Sequence, residues 1–187
     1  MLHVTDILAA VGVRRFAGFL TAEDLGWYLN RGKMIHKATE LYDGGVLDLA
    51  TLDDRIKGFV GGWMHFRAEV PSRMLAIEED VSHARLGYCG RLDRIIKAPS
   101  VCRWPCMLDI KTNEADIGTR LQLSGYKLAL GRKAKQYGRM AVELREDGTY
   151  KLTVYYNDRE DAAAWIAAVS LASWMNANGY KIERERT

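Results

Sequence analysis

Apolar residues along this chain recur in two rhythms, one typical of helices and one typical of strands. Recurrence every three or four residues predicts five helices: Thr5 to Val11, Ala22 to Asp43, Leu52 to Ala68, Ile117 to Gly131, and a last one capped by Asn157 or Asp158. Alternating or continuous apolar runs predict five strands: Arg73 to Ser82, Gly87 to Lys97, Pro105 to Lys111, Tyr137 to Leu144, and Tyr150 to Tyr156.

Turn and capping residues mark several boundaries between these elements. Thr21 and Asp24 resemble a capping box before the second helix, and Gly131 is a natural stop for the fourth. Glu146-Asp147-Gly148 is a strong hairpin signal between the last two strands. The helix from Leu52 to Ala68 is expected to turn Ile56, Phe59, Val60 and Trp63 inward. The buried side of the last helix is expected to carry Ala163, Ile166, Val169, Leu171 and Trp174.

The order of the elements predicts an α/β fold. Helices come first, three strands follow, and a helix, two more strands and a final helix complete the order, which describes a central mixed β-sheet flanked by helices. With 187 residues, 48% of them apolar, the chain can bury a substantial core, and no stretch resembles a linker. We therefore expect one domain over residues 1–187.

Composition narrows the protein class only partly. No apolar run approaches the ~20 residues of a membrane span, and residues 1–6 lack a signal-peptide pattern, so we expect a cytoplasmic protein without membrane contact. The net charge of +3 neither establishes nor opposes a nucleic-acid partner. Cys89, Cys102 and Cys106 lack paired CxxC spacing, which favours ordinary reduced thiols over a zinc site or a disulfide framework.

Asp109-Ile110-Lys111 ends the third predicted strand and combines an acid with a lysine. Residues two apart on a strand project from the same face, so Asp109 and Lys111 should point together, away from Ile110. A carboxylate can hold a divalent metal while an ammonium steadies an attacking water or the charge that grows on a phosphate. The tripeptide alone is weak support for a phosphodiester-cleaving centre, and the interpretation depends on other polar residues.

Further polar residues stand where they can complete such a centre. Asp93 lies on the second strand, and Gly90 before it removes a side chain where a backbone or a ligand phosphate can approach closely. Glu78 adds an acid on the first strand. His36, one turn after Gly32 on the long helix, adds an imidazole, which is a common metal ligand.

The ordered set resembles a known family. Gln122 and Tyr126, four residues apart, share one face of the fourth helix. In chain order, the motifs are Gly32-xxx-His36, Glu78, Gly90-xx-Asp93, Asp109-x-Lys111 and Gln122-xxx-Tyr126. They resemble the motifs of the PD-(D/E)XK nucleases, especially the small phage-type RecB-like exonucleases, and the resemblance covers Val4 to Tyr126.

The resemblance implies a fold, an activity and a cofactor. It implies a restriction-endonuclease-like core and a metal-dependent DNA exonuclease of phage or bacterial recombination or repair, using one or two Mg²⁺ or Mn²⁺ ions. The implied metal ligands are His36, Asp93, Asp109 and the carbonyl of Ile110. Some relatives hold an iron–sulfur cluster with four cysteines. This chain has three, so no such cluster is expected. Linear DNA, cleaved without sequence preference, is the implied partner, together with a recombination partner protein.

The same resemblance assigns roles to the remaining motif residues. Lys111 would position the nucleophilic water or stabilise the transition state, and Glu78 would be a further catalytic acid. Gln122 and Tyr126 would hold the DNA backbone or brace the lysine. Because Glu79 follows Glu78 directly, a shift of one residue in strand register would exchange the two acids.

Each motif residue also has an ordinary interpretation. His36 can bond to Glu40, Asp93 can form a surface salt bridge with Arg91 or Arg94, Asp109 and Lys111 can simply pair, and Gln122 and Tyr126 can be the polar margin of a helix. The basic residues after the fourth helix, Arg132, Lys133, Lys135 and Arg139, can follow a DNA backbone or simply favour the helix dipole.

Two other functions stay open at this stage. A structure-specific endonuclease of the same fold would carry the same motifs. A non-catalytic DNA-binding or assembly module would keep the scaffold without cleaving its ligand.

Overall fold

In the part of the chain that the structure describes, six strands form a mixed sheet with helices packed on both faces. The computed structural model describes residues 1–13 and 22–180. Its elements are β1 (Leu2–His3), α1 (Val4–Ala10), α2 (Ala22–Asp43), α3 (Asp54–Glu69), β2 (Arg73–His83), β3 (Tyr88–Lys97), β4 (Cys106–Lys111), α4 (Ile117–Leu130), β5 (Gly138–Leu144), β6 (Tyr150–Tyr155) and α5 (Asp158–Ala177). No helix in the described ranges is long and apolar enough to cross a membrane.

The predicted α/β class and the order of helices and strands are confirmed. β1 was not predicted, because its two residues are too short to show a period; it pairs in parallel with the start of β3. Gly131 ends α4 with a φ of 62°, as its position predicted. Of the predicted capping box, Thr21 and the side chain of Asp24 lie outside the described residues.

The sheet opens between β3 and β4. β2 runs antiparallel along one edge of β3, whereas the other edge of β3 is shared by β1 at its start and β4 near its end. The β3–β4 ladder ends at the pair Arg94–Leu108, although β4 continues to Lys111 in parallel with β5. The last part of β4 therefore borders a gap on its β3 side.

Two apolar cores lie on opposite faces of the sheet. One contains α1, α4 and α5, with Trp165 of α5 among its largest members. The other contains α2 and α3, and it buries the residues predicted for the inner side of α3, which are Ile56, Phe59, Val60 and Trp63. Helices on both faces explain why β4 is an almost continuous apolar run rather than an alternating one.

β3 changes face at Asp93. In a regular strand, residues an even number apart face the same side, so Leu92 and Ile96 should share a core. Instead, Leu92 packs in the same core as Ile95, and Ile96 packs in the other core. On β2, Glu78 lies between the pairs that flank Asp93 and has a φ of 50°, the one positive φ among the described non-glycine residues. Such a conformation is costly for a side chain with a Cβ and is concentrated at functional sites.

The predicted buried side of the last helix is wrong except at Val169. Ile166, Leu171 and Trp174 are 42%, 49% and 63% exposed, and Ala163 is exposed as well. The buried residues of α5 are Asp161, Trp165, Ala168, Val169 and Ala172. Apolar residues occur around the whole helix, so their spacing did not select one side. The side that packs on α4 is the one carrying Trp165, which lies where Gly125 leaves room for its ring.

Candidate active site

Three side chains from three elements converge at the gap beside β3. His36 comes from α2, Glu78 from β2 and Asp93 from β3, and one potential ligand atom of each lies within 4.8 Å of the other two. His36 Nδ1 is 3.6 Å from Asp93 Oδ2. Asp93 is buried, while His36 and Glu78 keep partial contact with solvent. We call these three residues the His–Glu–Asp cluster.

The opening of the sheet positions the Asp93 carboxylate. The backbone N–H of Ile110 donates a hydrogen bond to Asp93 Oδ2 at 2.7 Å, beyond the last β3–β4 ladder pair. A side chain therefore satisfies a strand N–H that the separated strand no longer pairs. The bond orients the carboxylate of Asp93 across the gap, next to β4.

Arg94 bonds to Glu78 directly and to two α2 residues near His36. It is fully buried, and its Nη1 donates to Glu78 Oε1 at 2.9 Å. Its Nε donates to Asp43 Oδ2 at 2.8 Å, and its Nη2 donates to Thr39 Oγ1 at 3.1 Å. Since His36, Thr39 and Asp43 are spaced by three and four residues, they share one face of α2. The bonds from Arg94 thus hold the histidine-bearing face of α2 against the sheet.

The two carboxylates of the cluster oppose each other electrostatically. Burial raises the pKa of Asp93; the nearby His36 lowers it in part, and the charge of Asp109 raises it further. Burial also raises the pKa of Glu78, and Asp93 adds to this shift, whereas His36 and Arg94 oppose it. A divalent cation would relieve this repulsion. One imidazole nitrogen and two carboxylates form a donor set that suits Mn²⁺ and, with more oxygen ligands, Mg²⁺.

A second polar network adjoins the cluster on the α4 side of β4. Lys111 Nζ lies 2.7 Å from Asp109 Oδ2 and donates to Gln122 Oε1 at 3.2 Å. Gln122 Nε2 donates to Asp109 Oδ1 at 3.0 Å and to the Tyr126 hydroxyl at 3.0 Å. Asp109 is 1% exposed, whereas the Lys111 side chain is 21% exposed. The lysine is therefore held from within the protein and meets solvent at its outer side.

The structure separates the predicted metal ligands into these two groups. His36 and Asp93 lie in the His–Glu–Asp cluster together with Glu78, which was expected to be a catalytic acid. Asp109 lies outside that close group, with its two oxygens facing Gln122 and Lys111. Its charge still acts on Asp93, so the two aspartates are neighbours. A ligand role for Asp109 and for the Ile110 carbonyl stays a prediction.

The structure contradicts some of the ordinary interpretations of the motif residues and confirms one. Glu40 pairs with Lys37 rather than with His36, and Arg91 pairs with Asp80 rather than with Asp93. Gln122 and Tyr126 are buried, so they are not the exposed margin of a helix. Asp109 and Lys111 do form the ion pair of the ordinary interpretation.

Glu78 and Glu79 have different surroundings. Glu78 lies in the His–Glu–Asp cluster and bonds to Arg94. Glu79 pairs with Lys133 at 3.4 Å, away from that cluster. The sequence could not distinguish them, because the left-handed conformation of Glu78 interrupts the strand alternation on which such a distinction depends.

Gly90 is explained by side-chain packing. A Cβ at this position would lie 2.7 Å from Cε1 of Tyr126 and 3.1 Å from a methyl group of Val4. The group that approaches Gly90 is therefore the ring of Tyr126, rather than the backbone or ligand phosphate that the sequence suggested. This packing fixes Tyr126, which in turn accepts a hydrogen bond from Gln122.

The predicted basic cluster is wrong at one residue. Arg139 is fully buried; its Nε donates to Asp158 at 2.7 Å and its Nη2 donates to Asp161 at 2.6 Å. Arg132, Lys133 and Lys135 are exposed on the turn after α4, and the contact of Lys133 with Glu79 places this turn beside β2. The basic surface is thus smaller than predicted.

Sequence reasoning missed the buried partners of the site. Arg94 was considered only as a surface ion, and Asp43 and Thr39 were not considered. The available signal was the spacing of His36, Thr39 and Asp43, three and four residues apart within the predicted helix. No protein-family model and no curated protein matches this chain.

Proposed function

We propose that this chain is a metal-dependent DNA exonuclease with a restriction-endonuclease-like, PD-(D/E)XK core. The observation that carries the proposal is the convergence of His36, Glu78 and Asp93 next to a lysine held by Asp109. Such a combination of metal-ligand types and a fixed cation suits phosphodiester hydrolysis, in which negative charge grows on the phosphate oxygens. The order of the elements and the mixed sheet are compatible with that core.

The His–Glu–Asp cluster would hold one Mg²⁺ or Mn²⁺ ion, and Asp109 can contribute to a second. A bound cation would supply Lewis-acid stabilisation of the phosphate and lower the pKa of a bound water. Arg94 keeps Glu78 within reach of this position, and the Ile110 N–H keeps Asp93 there. A ligand set oriented by buried hydrogen bonds loses little entropy when a cation binds.

Lys111 provides the positive charge that faces the substrate. Asp109 and Gln122 fix its Nζ from the buried side, so that its outer side can orient a water or accept charge from a phosphate oxygen. The burial of Gln122 and Tyr126 favours bracing of the lysine over direct contact with DNA. The roles of these two helix residues therefore differ from those of the exposed basic turn.

Linear DNA would approach from the side of β2 and the turn after α4. Arg132 and Lys133 are exposed there and can contact phosphates, which would make binding depend on salt concentration. Contacts with phosphates do not distinguish one base sequence from another, so cleavage would depend on DNA ends and on whether the DNA is single- or double-stranded. The proposed setting is the cytoplasm of a phage-infected or bacterial cell, in recombination or repair with a partner protein.

Cleavage of labelled DNA tests the proposal. Purified protein is freed of metal with EDTA, then supplied with Mn²⁺ or Mg²⁺ and given end-labelled linear DNA or closed circular DNA of the same sequence. We expect metal-dependent loss of linear DNA only, and at least a 100-fold lower rate for Asp93→Asn and for Lys111→Met. Asp80→Asn is the matched control, because Asp80 is an exposed acid on β2 paired with Arg91.

The other outcomes distinguish the alternatives. Cutting of circular DNA would favour the endonuclease. Salt-dependent DNA binding without cleavage in any metal would favour the non-catalytic module. Equal activity of wild-type protein and Asp93→Asn would overturn the site assignment.

A further inference from the structure

Two cysteine thiols touch at the start of β4. Cys102 Sγ and Cys106 Sγ are 2.9 Å apart. Cys106 is the first residue of β4, and Cys102 belongs to the loop that precedes it. The backbone N–H groups of Val101 and Cys102 both donate to the carbonyl of Ala98, at 3.0 Å and 2.9 Å, which closes a turn directly after β3.

Gly138 on β5 provides the space that the two sulfurs occupy. It is the parallel neighbour of Cys106, and a Cβ at this position would lie 2.6 Å from Cys106 Sγ and 2.8 Å from Cys102 Sγ. Gly138 has no positive φ, so its backbone does not require glycine. The absence of a side chain is explained by the thiol pair instead.

The two thiols differ in access and in acidity. Cys102 is partly exposed, whereas Cys106 is fully buried. A hydrogen bond from the Cys106 thiol lowers the pKa of Cys102, and the same bond together with burial raises the pKa of Cys106. The thiolate is the reactive form of cysteine, so attack on an external reagent falls to Cys102.

We propose that Cys102 and Cys106 are an oxidisable dithiol, a modification site that a peroxide converts into an intramolecular disulfide. The Cys102 thiolate attacks one peroxide oxygen, the O–O bond breaks, and Cys102 becomes a sulfenic acid while water or an alcohol leaves. The sulfur of Cys106 then attacks the sulfenic sulfur, the S–S bond forms, and the hydroxyl leaves as water with the Cys106 proton. In total, two thiols lose two electrons and two protons, and one peroxide is reduced.

The geometry favours the second step over further oxidation. A disulfide has an S–S length of about 2.05 Å, so the sulfurs have to approach by less than 1 Å. A resolving thiol in contact captures the sulfenic acid before a second peroxide does. The bond would tie the loop after β3 to the first residue of β4. This proposal is independent of the nuclease proposal, since it concerns side chains other than Lys111 and the His–Glu–Asp cluster.

Peptide mapping tests the dithiol directly. The reduced full-length chain is treated with a small excess of hydrogen peroxide, free thiols are alkylated in denaturant, and the protein is digested with trypsin. Cleavage after Lys97, Arg103 and Lys111 puts Cys102 and Cys106 on separate peptides, residues 98–103 and 104–111, and Cys89 on residues 86–91. We expect a disulfide between the first two peptides, lost on treatment with dithiothreitol, and an alkylated Cys89.

Two variants complete the test. Cys102→Ala should abolish the linked species and leave Cys106 alkylated, and Cys89→Ser should form the link as the wild type does. Cys102 is partly exposed, so its truncation to alanine disturbs little packing. Three states of Cys102 after treatment with peroxide would overturn the proposal. They are a sulfinic acid with Cys106 still free, an unmodified thiol, and a disulfide with Cys89.

Discussion

The carboxylate of Asp93 accepts a hydrogen bond from the backbone N–H of Ile110 at 2.7 Å, across the gap where β3 and β4 have separated. The strand separation and the carboxylate position are thus one feature: the N–H that the ladder leaves unpaired is the group that orients the acid. The same gap admits His36 from α2, which lies 3.6 Å from Asp93.

Asp93→Asn should remove the response to metal without unfolding the protein. The asparagine oxygen can still accept the Ile110 N–H, while the repulsion of Glu78 disappears, so the metal-free variant should melt at or above the wild-type temperature. Mn²⁺ at 100 times its Kd should stabilise the wild type by about 2.7 kcal/mol and the variant by almost nothing. Calorimetry with and without Mn²⁺ measures both quantities.

Asp80→Asn provides the comparison for that experiment. Asp80 lies on β2 but pairs with the exposed Arg91, so its variant should keep the full metal response. An undiminished response in Asp93→Asn would mean that the cation binds elsewhere.

Lys111→Met should destabilise the protein more than its partly exposed position suggests. Asp109 is 1% exposed and would lose its cation, and an uncompensated buried charge costs about 3 kcal/mol. The double variant Asp109→Asn/Lys111→Met should recover most of that loss, because the charge is removed together with its partner. Urea unfolding of the wild type, Asp109→Asn, Lys111→Met and the double variant gives the coupling energy between the two side chains. If the two single losses of unfolding free energy simply add in the double variant, the two side chains do not stabilise each other.

The free energy of unfolding should be higher for Glu78→Gly than for Glu78→Ala. Both substitutions remove the bond to Arg94, but at a φ of 50° alanine carries a Cβ penalty of about 1 kcal/mol that glycine does not. At Glu79, which has no positive φ, the order should reverse, since glycine weakens a strand interior. The four free energies of unfolding test the sign at each position. A preference for alanine at both positions would contradict the left-handed conformation.

Asp161 should stabilise the protein at neutral pH and lose that effect in acid. Burial by itself raises its pKa, but hydrogen bonds from Arg120 and Arg139 outweigh this and leave the pKa below the ordinary 3.8. A lowered pKa means that the stabilisation is complete above pH 3.8 and is lost as the pH falls through the folded-state value. Asp161→Asn should therefore cost roughly 1.5 kcal/mol at pH 7, since Asp158 still compensates the buried Arg139, and less near pH 2.

The exposed neighbour Glu160 supplies the control for this pH profile. Glu160→Gln should change the free energy of unfolding by less than about 0.5 kcal/mol at either pH. A cost for Asp161→Asn that does not depend on pH would contradict the assigned ionisation.

Several features were predictable from the sequence because they depend on local periodicity. The helices α2, α3 and α4 and the strands β2 to β6 lie within about two residues of their predicted bounds, since burial of one side imposes a regular spacing. The inner side of α3 was correct for the same reason. α5 shows the limit: apolar residues surround it, so packing on Gly125 selected a side that spacing did not indicate.

The candidate site was predictable only as a set of residue types. Acids on β2, β3 and β4 and a histidine on α2 were identified from their order along the chain. Their grouping was not, because it depends on where the β3–β4 ladder ends and on the conformation of Glu78. Arg139 was wrongly predicted to lie on a basic surface, because its charge alone does not reveal that it pairs with two aspartates of α5 inside the protein.

The linear chain therefore determined the elements and the chemical groups that each one carries, since both depend on near neighbours. Contacts between residues far apart in the chain determined the rest: Glu78 rather than Glu79 joins His36 and Asp93, Asp109 holds Lys111, and Cys102 touches Cys106. Such contacts depend on strand register and on the packing of whole helices, which no short stretch of sequence specifies.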